Sequence, residues 1–359
     1  MLRNEDLDAA VKAGVITPEQ QKALEQQAAG RRAARPFVAG RDERFRFLRG
    51  FNDVFLTLGV LLVTGAFLTQ WSPYTRTGGG VLLAGALTLW LISEVLVGRY
   101  KAVLPGMAAV LGIGVLVSLA VGQWALVSSF GDPPARGAKL LPLIDQWAGL
   151  PFSIWLQSVG AGGLAILLYY IRFRLPFALL PLGLGVMATV LFAILNQFGL
   201  SMAPLVINSA ALLMGLATFA LAMWYDGSDP ERLTRRSDCG FWLHLAAEPF
   251  IVHPVISLLA SHPGSGSAVT FALVAVMGIV ALAIDRRALL VSSLSYLGIA
   301  VGYLVRTAAD AVGGGLTATL AILGAFVIIM GLGWHPLRRL VLAPFAGARW
   351  LQKLPPVQA

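Results

Sequence analysis

Apolar stretches recur along this chain with short polar breaks between them, and each is long enough to cross a hydrocarbon core of about 30 Å as a helix. The pattern predicts spans over residues 51–70, 79–97, 102–122, 151–170, 175–195, 203–224, 241–260, 267–284, 288–305 and 315–333. The expected fold is therefore all-α, a polytopic membrane helix bundle of about ten spans. The longest break runs from Gln123 to Leu150 and carries Trp124, Trp147, Pro133 and Pro134. The tryptophans suit a belt at headgroup level and the prolines a turn outside the bilayer.

The first fifty residues are patterned differently. Leu7, Ala10 and Val11 form a short helical stripe that Gly14 ends, and Thr17-Pro18-Glu19-Gln20 reads as a second helix start. Thr17 is the expected N-cap, Pro18 occupies the first helical position and Gln20 falls three residues after the cap. A helical hairpin is expected over 4–29, too short for a full core of its own. From Arg31 to Phe51 arginines mix with Phe37, Phe45, Phe47, Leu48 and Phe51, as in a basic arm on an anionic leaflet. The expected organisation is a cytoplasmic hairpin and arm over 1–50, a bundle over 51–335 and a cytoplasmic tail over 336–359. No short apolar core follows a basic start, so no signal peptide is expected.

Charge supplies the orientation. Of the 27 Lys and Arg residues, 23 fall in the amino-terminal segment, in alternate loops and in the tail: Arg99 with Lys101, Arg172 with Arg174, Arg232 with Arg235 and Arg236, Arg286 with Arg287, and Arg338, Arg339, Arg349 and Lys353 at the end. Only Arg76, Arg136, Lys139 and Arg306 fall on the other side. Positive residues stay on the cytoplasmic face, so both termini are expected inside, with anionic lipid headgroups as their partners.

Composition agrees. The chain is 57% hydrophobic and 13% charged, with mean hydropathy +0.76, far from an ordinary soluble domain. The net charge of +9 would raise the question of nucleic acid in a soluble protein, but no basic domain with interleaved aromatics appears here. The lone Cys239 excludes an internal disulfide and reads as a small apolar residue near a helix start.

The opening pattern Leu7-Asp8-Ala9-Ala10-Val11-Lys12-Ala13-Gly14-Val15-Ile16, then Gln20, Gln21 and Leu24, a basic arm and a polytopic bundle, resembles the bacterial family described as domain of unknown function 2157. The stretches Phe241-Trp242-Leu243-His244-Leu245 and Ile251-Val252-His253-Pro254 resemble segments of such predicted membrane proteins. The resemblance implies a bacterial inner-membrane location and assigns no residue a role.

Polar residues inside spans are the functional pointers, because lipid tolerates them only when they face protein or water. His244 and Glu248 stand four apart on one helix face, and Pro249 and Pro254 should free backbone carbonyls nearby. With His253 they would line a polar cavity at a broken helix, able to relay protons or hold a cation. Asn208 in the sixth span is a further candidate for this transport site, or packing glue between helices. Glu94 can reach Arg99 or the headgroups. Asn196 and Gln197 cap the fifth span, Arg306 and Asp310 can pair, and His262 belongs to an outer turn. Gly298 and Gly302 form a GxxxG packing face. The basic turns at 98–101, 172–176 and 285–287 repeat from hairpin to hairpin, as in repeat-built transporters. No metal, phosphate-loop, cofactor or serine-hydrolase motif occurs. Three functions fit: a transporter of a small solute with proton coupling, a structural or regulatory membrane protein docking a cytoplasmic partner through 4–29, and an intramembrane enzyme.

Overall fold

The computed structural model describes residues 11, 13–21, 51–70, 78–130, 151–198, 203–230, 232, 234–259, 265–290, 294, 297–298, 301, 315–345, 348 and 354–355. The chain divides into two compact units, Met1–Arg44 and Phe45–Ala359. In the first, Gly14 takes a left-handed backbone (φ 70°) and closes a turn onto Val11 O. Gln20 N then donates to Thr17 Oγ1 at 3.2 Å while Thr17 N donates to Gln20 Oε1 at 2.9 Å, a reciprocal capping box. The rest of the expected hairpin lies outside the described residues, as does the arm at 31–50.

The second unit is helical, with no strand among its described residues. Its helices are α1 (Phe51–Leu68), α2 (Gly78–Ser93, continued by a π-helical turn Glu94–Arg99), α3 (Val103–Phe130), α4 (Phe152–Phe173), α5 (Leu179–Phe198), α6 (Ala203–Gly227), α7 (Arg235–Ala247), α8 (Pro249–Leu259), α9 (Ser265–Ile284), α10 (Gly315–Leu332) and α11 (Trp334–Leu342). Among the described residues seven segments are long and apolar enough to cross a membrane: α1, α2 with its π turn, α3, α4, α5 with its leading 3-10 turn, α6, and α7 with α8 as one segment. They show exposed leucines on their outer faces, among them Leu62, Leu87, Leu91, Leu164 and Leu213. Water would not tolerate a belt of that kind, whereas a bilayer matches it. The span expected over 288–305 is described only at residues 288–290, 294, 297–298 and 301.

Two boundaries differ from the sequence expectation by more than one helical turn. The third helix does not stop at 122 but runs through Gln123 and Trp124 to Phe130, because the bare backbones of Gly78 and Gly79 on α2 leave room for those two side chains. The helix expected over 241–260 begins earlier, at Arg235, where Thr234 Oγ1 caps Arg236 N at 3.2 Å. The α3–α4 contact is a small-residue packing face. Gly114 and Ser118 meet Ser158 and Gly162, each pair four apart, and Ser158 Oγ donates to Ser118 O at 2.7 Å. The first hydrophobic core gathers around this contact, with Leu82, Leu89, Val110, Ile113, Leu116 and Tyr169 buried. A second core joins Val252, Met277, Ala281, Leu289 and Trp334.

One end of the bundle has a repeated construction. Lys101, Arg174, Arg232 and Asp285 all take left-handed backbone conformations in the turns that follow α2, α4, α6 and α9. Such a residue lets the chain reverse after a helix, at a cost of about 1–2 kcal/mol when it carries a side chain. At Asp285 the turn is a Schellman motif, with Arg286 N donating to Ala281 O at 2.8 Å and Asp285 N to Leu282 O at 3.3 Å. Side chains stitch the four turns together. Arg172 grips Glu94 with two bonds (2.7 and 3.0 Å), so the partner of Glu94 is Arg172 on the next hairpin and not Arg99. Arg235 Nη1 reaches Arg174 O at 3.3 Å, and Arg232 Nη2 donates to Asp285 O at 2.5 Å. The arginine-bearing turns therefore lie at one end.

Candidate functional site

The α6 face turned toward α7 and α8 carries Gly215, Phe219, Ala222 and Asp226, spaced four, three and four apart as one helix stripe requires. At its near end a Cβ on Gly215 would stand 2.8 Å from the carbonyl of Phe250. At its far end Asp226 sits against the Cα of Gly240. Between them the Phe219 ring meets the His244 imidazole edge to face, centroids 5.1 Å apart. Two glycines thus let the backbones close around a polar centre.

Asp226 occupies the last turn of α6, where the helix dipole disfavours an anion. Arg286, just past the end of α9, compensates. Its Nη2 donates to Asp226 Oδ1 at 2.5 Å and its Nε to Oδ2 at 3.0 Å, a fork that matches the carboxylate. The same Nη2 also donates to Ser237 O (3.0 Å) and Ser237 Oγ (3.2 Å) in the first turn of α7. His244 Nε2 completes the set, 2.9 Å from Asp226 Oδ2. Because Arg286 keeps Asp226 ionised and acceptor-only, the imidazole proton of this contact belongs on Nε2. His244 Nδ1 is left as the basic nitrogen, buried and with no hydrogen-bond partner among the described residues. The Arg286-held carboxylate thus fixes the orientation and tautomer of the His244 imidazole.

One turn further, Glu248 is wholly buried, like His244. It marks a break in the helix. Pro249 starts α8, and Glu248 O accepts from both Ile251 N and Val252 N, at 3.0 and 2.8 Å. By helix rise Glu248 stands about 20 Å from Arg235 and about 16 Å from Leu259, close to the middle of this segment.

A second ion-pair layer lies beside the first. Arg232 Nη1 is 3.1 Å from Asp285 Oδ2, and Trp334 Nε1 donates to Asp285 Oδ1 at 2.7 Å. Arg338 on α11 donates from Nε to Leu282 O at 3.1 Å and from Nη2 to Pro355 O at 2.6 Å. Burial pulls the Arg338 guanidinium below its ordinary value, an effect that the Asp285 carboxylate opposes. Asp229 Oδ2 accepts from Thr234 N (2.9 Å) and Thr234 Oγ1 (2.7 Å), which shapes the turn between α6 and α7.

No known protein family, characterised protein or solved structure matches this chain. Its site is therefore read from its own geometry.

Of the residues expected to act together, the structure combines His244 and Glu248 on one buried face. His253 does not join them. It is exposed on α8, where the break and Pro254 turn it outward from the buried Ile251, Val252 and Pro254. Asn208 is half-buried near the opposite end of α6 from Asp226, about 27 Å away by helix rise. Gly298 is half-buried, and Gly302, His262, Arg306 and Asp310 lie outside the described residues. Cys239 is a buried free thiol on α7, 3.9 Å from Tyr170 Oη. Among the described residues no group of three His, Cys, Asp or Glu side chains is placed to hold a metal ion. Asp226, Arg286, Asp285 and Arg232 were not anticipated as a site. Their signal was the carboxylates Asp226, Asp229 and Asp285 inside loops otherwise selected for positive charge.

Proposed function

We propose that this protein spans the bacterial inner membrane about ten times, with both termini in the cytoplasm, and moves a small solute across it together with protons. The observation that carries the reading is the wholly buried Glu248 at a helix break near mid-span, one turn from an imidazole whose Nδ1 faces the protein interior. Ionisable groups at such depth are costly and are kept where charge or protons move. Discontinuous helices at mid-membrane are the construction by which transporters bring polar groups to a solute. The Asp226–His244 pair and Glu248 then form two proton-accepting positions along α7. Arg286 holds the inner one in register.

The orientation rests on the arginine-rich turns gathered at one end, which positive-inside sorting assigns to the cytoplasm. The even number of spans is supported by Trp334, which follows α10 and bonds Asp285 at the end of α9. A chain that leaves one end and returns to it crosses twice.

Purified protein in liposomes loaded with a pH-sensitive dye tests this directly. Amino acids, sugars and small organic cations are added outside one class at a time, and one class should move protons. No proton movement with any class, and none under an imposed pH gradient alone, would overturn the reading.

A further inference from the structure

A second polar site stands apart from the α6–α7 network, at the end of α2. There the helix widens into the π turn Glu94–Arg99, closed by Tyr100 N donating to Val95 O at 3.1 Å and followed by the left-handed Lys101. Single π turns within a helix are rare and occur frequently at functional sites. Here the π turn and the neighbouring end of α4 border an open cavity of about 520 Å³, lined by Glu94, Gly98, Arg99, Lys101, Arg172 and Phe173 among others. That volume falls within the range of small-ligand sites.

The charges are unequal. Three cations face one carboxylate, and Arg172 already holds both oxygens of that carboxylate. Glu94 therefore fixes Arg172 in place without neutralising the remaining pair. Lys101 Nζ uses one donor on Gly98 O at 2.7 Å and keeps two more. Arg99 is exposed on the same rim. Phe173 in its wall packs against Tyr169 and Trp90, with ring centroids 4.4 and 5.7 Å away. Beside it Val95 is exposed on the apolar flank of α2. The cavity thus combines a cationic mouth with an apolar side wall, as a phosphate attached to an acyl-bearing molecule requires.

We propose that this cavity binds a phosphate monoanion or diester, with Arg99 and Lys101 as direct donors and Arg172 as a third cation positioned by Glu94. The phosphate is supplied either by an anionic phospholipid headgroup or by a free phosphorylated solute.

The test uses the full chain purified in a neutral detergent, with binding read by native mass spectrometry and melting temperature. The probes are phosphatidylglycerol, phosphatidylcholine, glycerol phosphate and inorganic phosphate. Phosphatidylglycerol should bind and raise the melting temperature more than phosphatidylcholine does. An equal effect of glycerol phosphate would assign the site to a free solute, and an effect of the lipid alone to a headgroup. The Arg99→Gln/Lys101→Asn variant, whose Asn tolerates the left-handed backbone, should bind about tenfold more weakly, as expected for the loss of two partly exposed charge pairs. Arg236→Gln, an exposed cation elsewhere at the same end, should bind like the wild type. Equal binding by wild type and the Arg99→Gln/Lys101→Asn variant, or no binding of any phosphate probe, would overturn the proposal.

Discussion

Gly240 turns a bare Cα toward Asp226 so closely that a methyl group there would overlap the carboxylate. The Asp226–Arg286 fork depends on that space. Gly240→Ala should push Asp226 out of register with both Arg286 and His244 and destabilise the protein by about 1–3 kcal/mol, the usual cost of overpacking a filled interior. Melting in detergent checks this, and Ser237→Ala, which removes one of several acceptors of Arg286, should cost less.

The buried pair itself is open to a double-mutant cycle. Asp226→Asn leaves Arg286 without its counter-charge, and Arg286→Gln leaves Asp226 as an uncompensated anion at a helix C-terminus. Each single change should cost about 3–5 kcal/mol. The double variant should cost clearly less than the sum, because neither charge is then stranded. Equilibrium unfolding in mixed micelles gives the coupling. Additive costs would mean that the two side chains do not act as a pair.

The α3–α4 contact predicts a different sensitivity. Gly162 lies against Ser118 and the Gly114 carbonyl, so Gly162→Val forces the helices apart and should lower stability by about 1–3 kcal/mol. Gly163, next along α4, meets nothing within 4 Å, and Gly163→Ala should be tolerated or slightly stabilising. The two melting curves, compared in one detergent, test whether close packing decides the effect.

His253 and His244 should separate in function. His253 is exposed on α8 and His244 is sealed between α6 and α7. His253→Ala should leave stability and transport close to wild type. His244→Ala opens a cavity beside Phe219 and strips Asp226 of one donor, and should lower both. Melting in detergent and proton movement in dye-loaded liposomes, compared for the two variants, check this separation.

The helices were legible because hydropathy and span length act over twenty residues at a time, and the Thr17–Gln20 box because it is wholly local. His244 and Glu248 were legible as polar residues four apart in an apolar run. What the sequence hid was the pairing. Arg286 lies sixty residues from Asp226 and looked like one more topological charge, since positive-inside sorting and burial against a carboxylate both place arginine at a helix end. The anion at the end of α6 was the available clue, as it opposes the helix dipole unless a cation meets it. His253 lies on a different face from His244 and Glu248, since its angle around the helix does not carry through the break at Pro249. The continuation of α3 through Gln123 was hidden for a similar reason, as it depends on two glycines of another helix.

Proton movement through the centre of the α7–α8 segment is tested most directly by comparing wild type, His244→Asn and Glu248→Gln in dye-loaded liposomes under one pH gradient and one solute panel, using variants whose melting matches the wild type. The account predicts solute-dependent acidification in the wild type, loss of it in Glu248→Gln and a marked reduction in His244→Asn. Unchanged proton movement in both variants would contradict it.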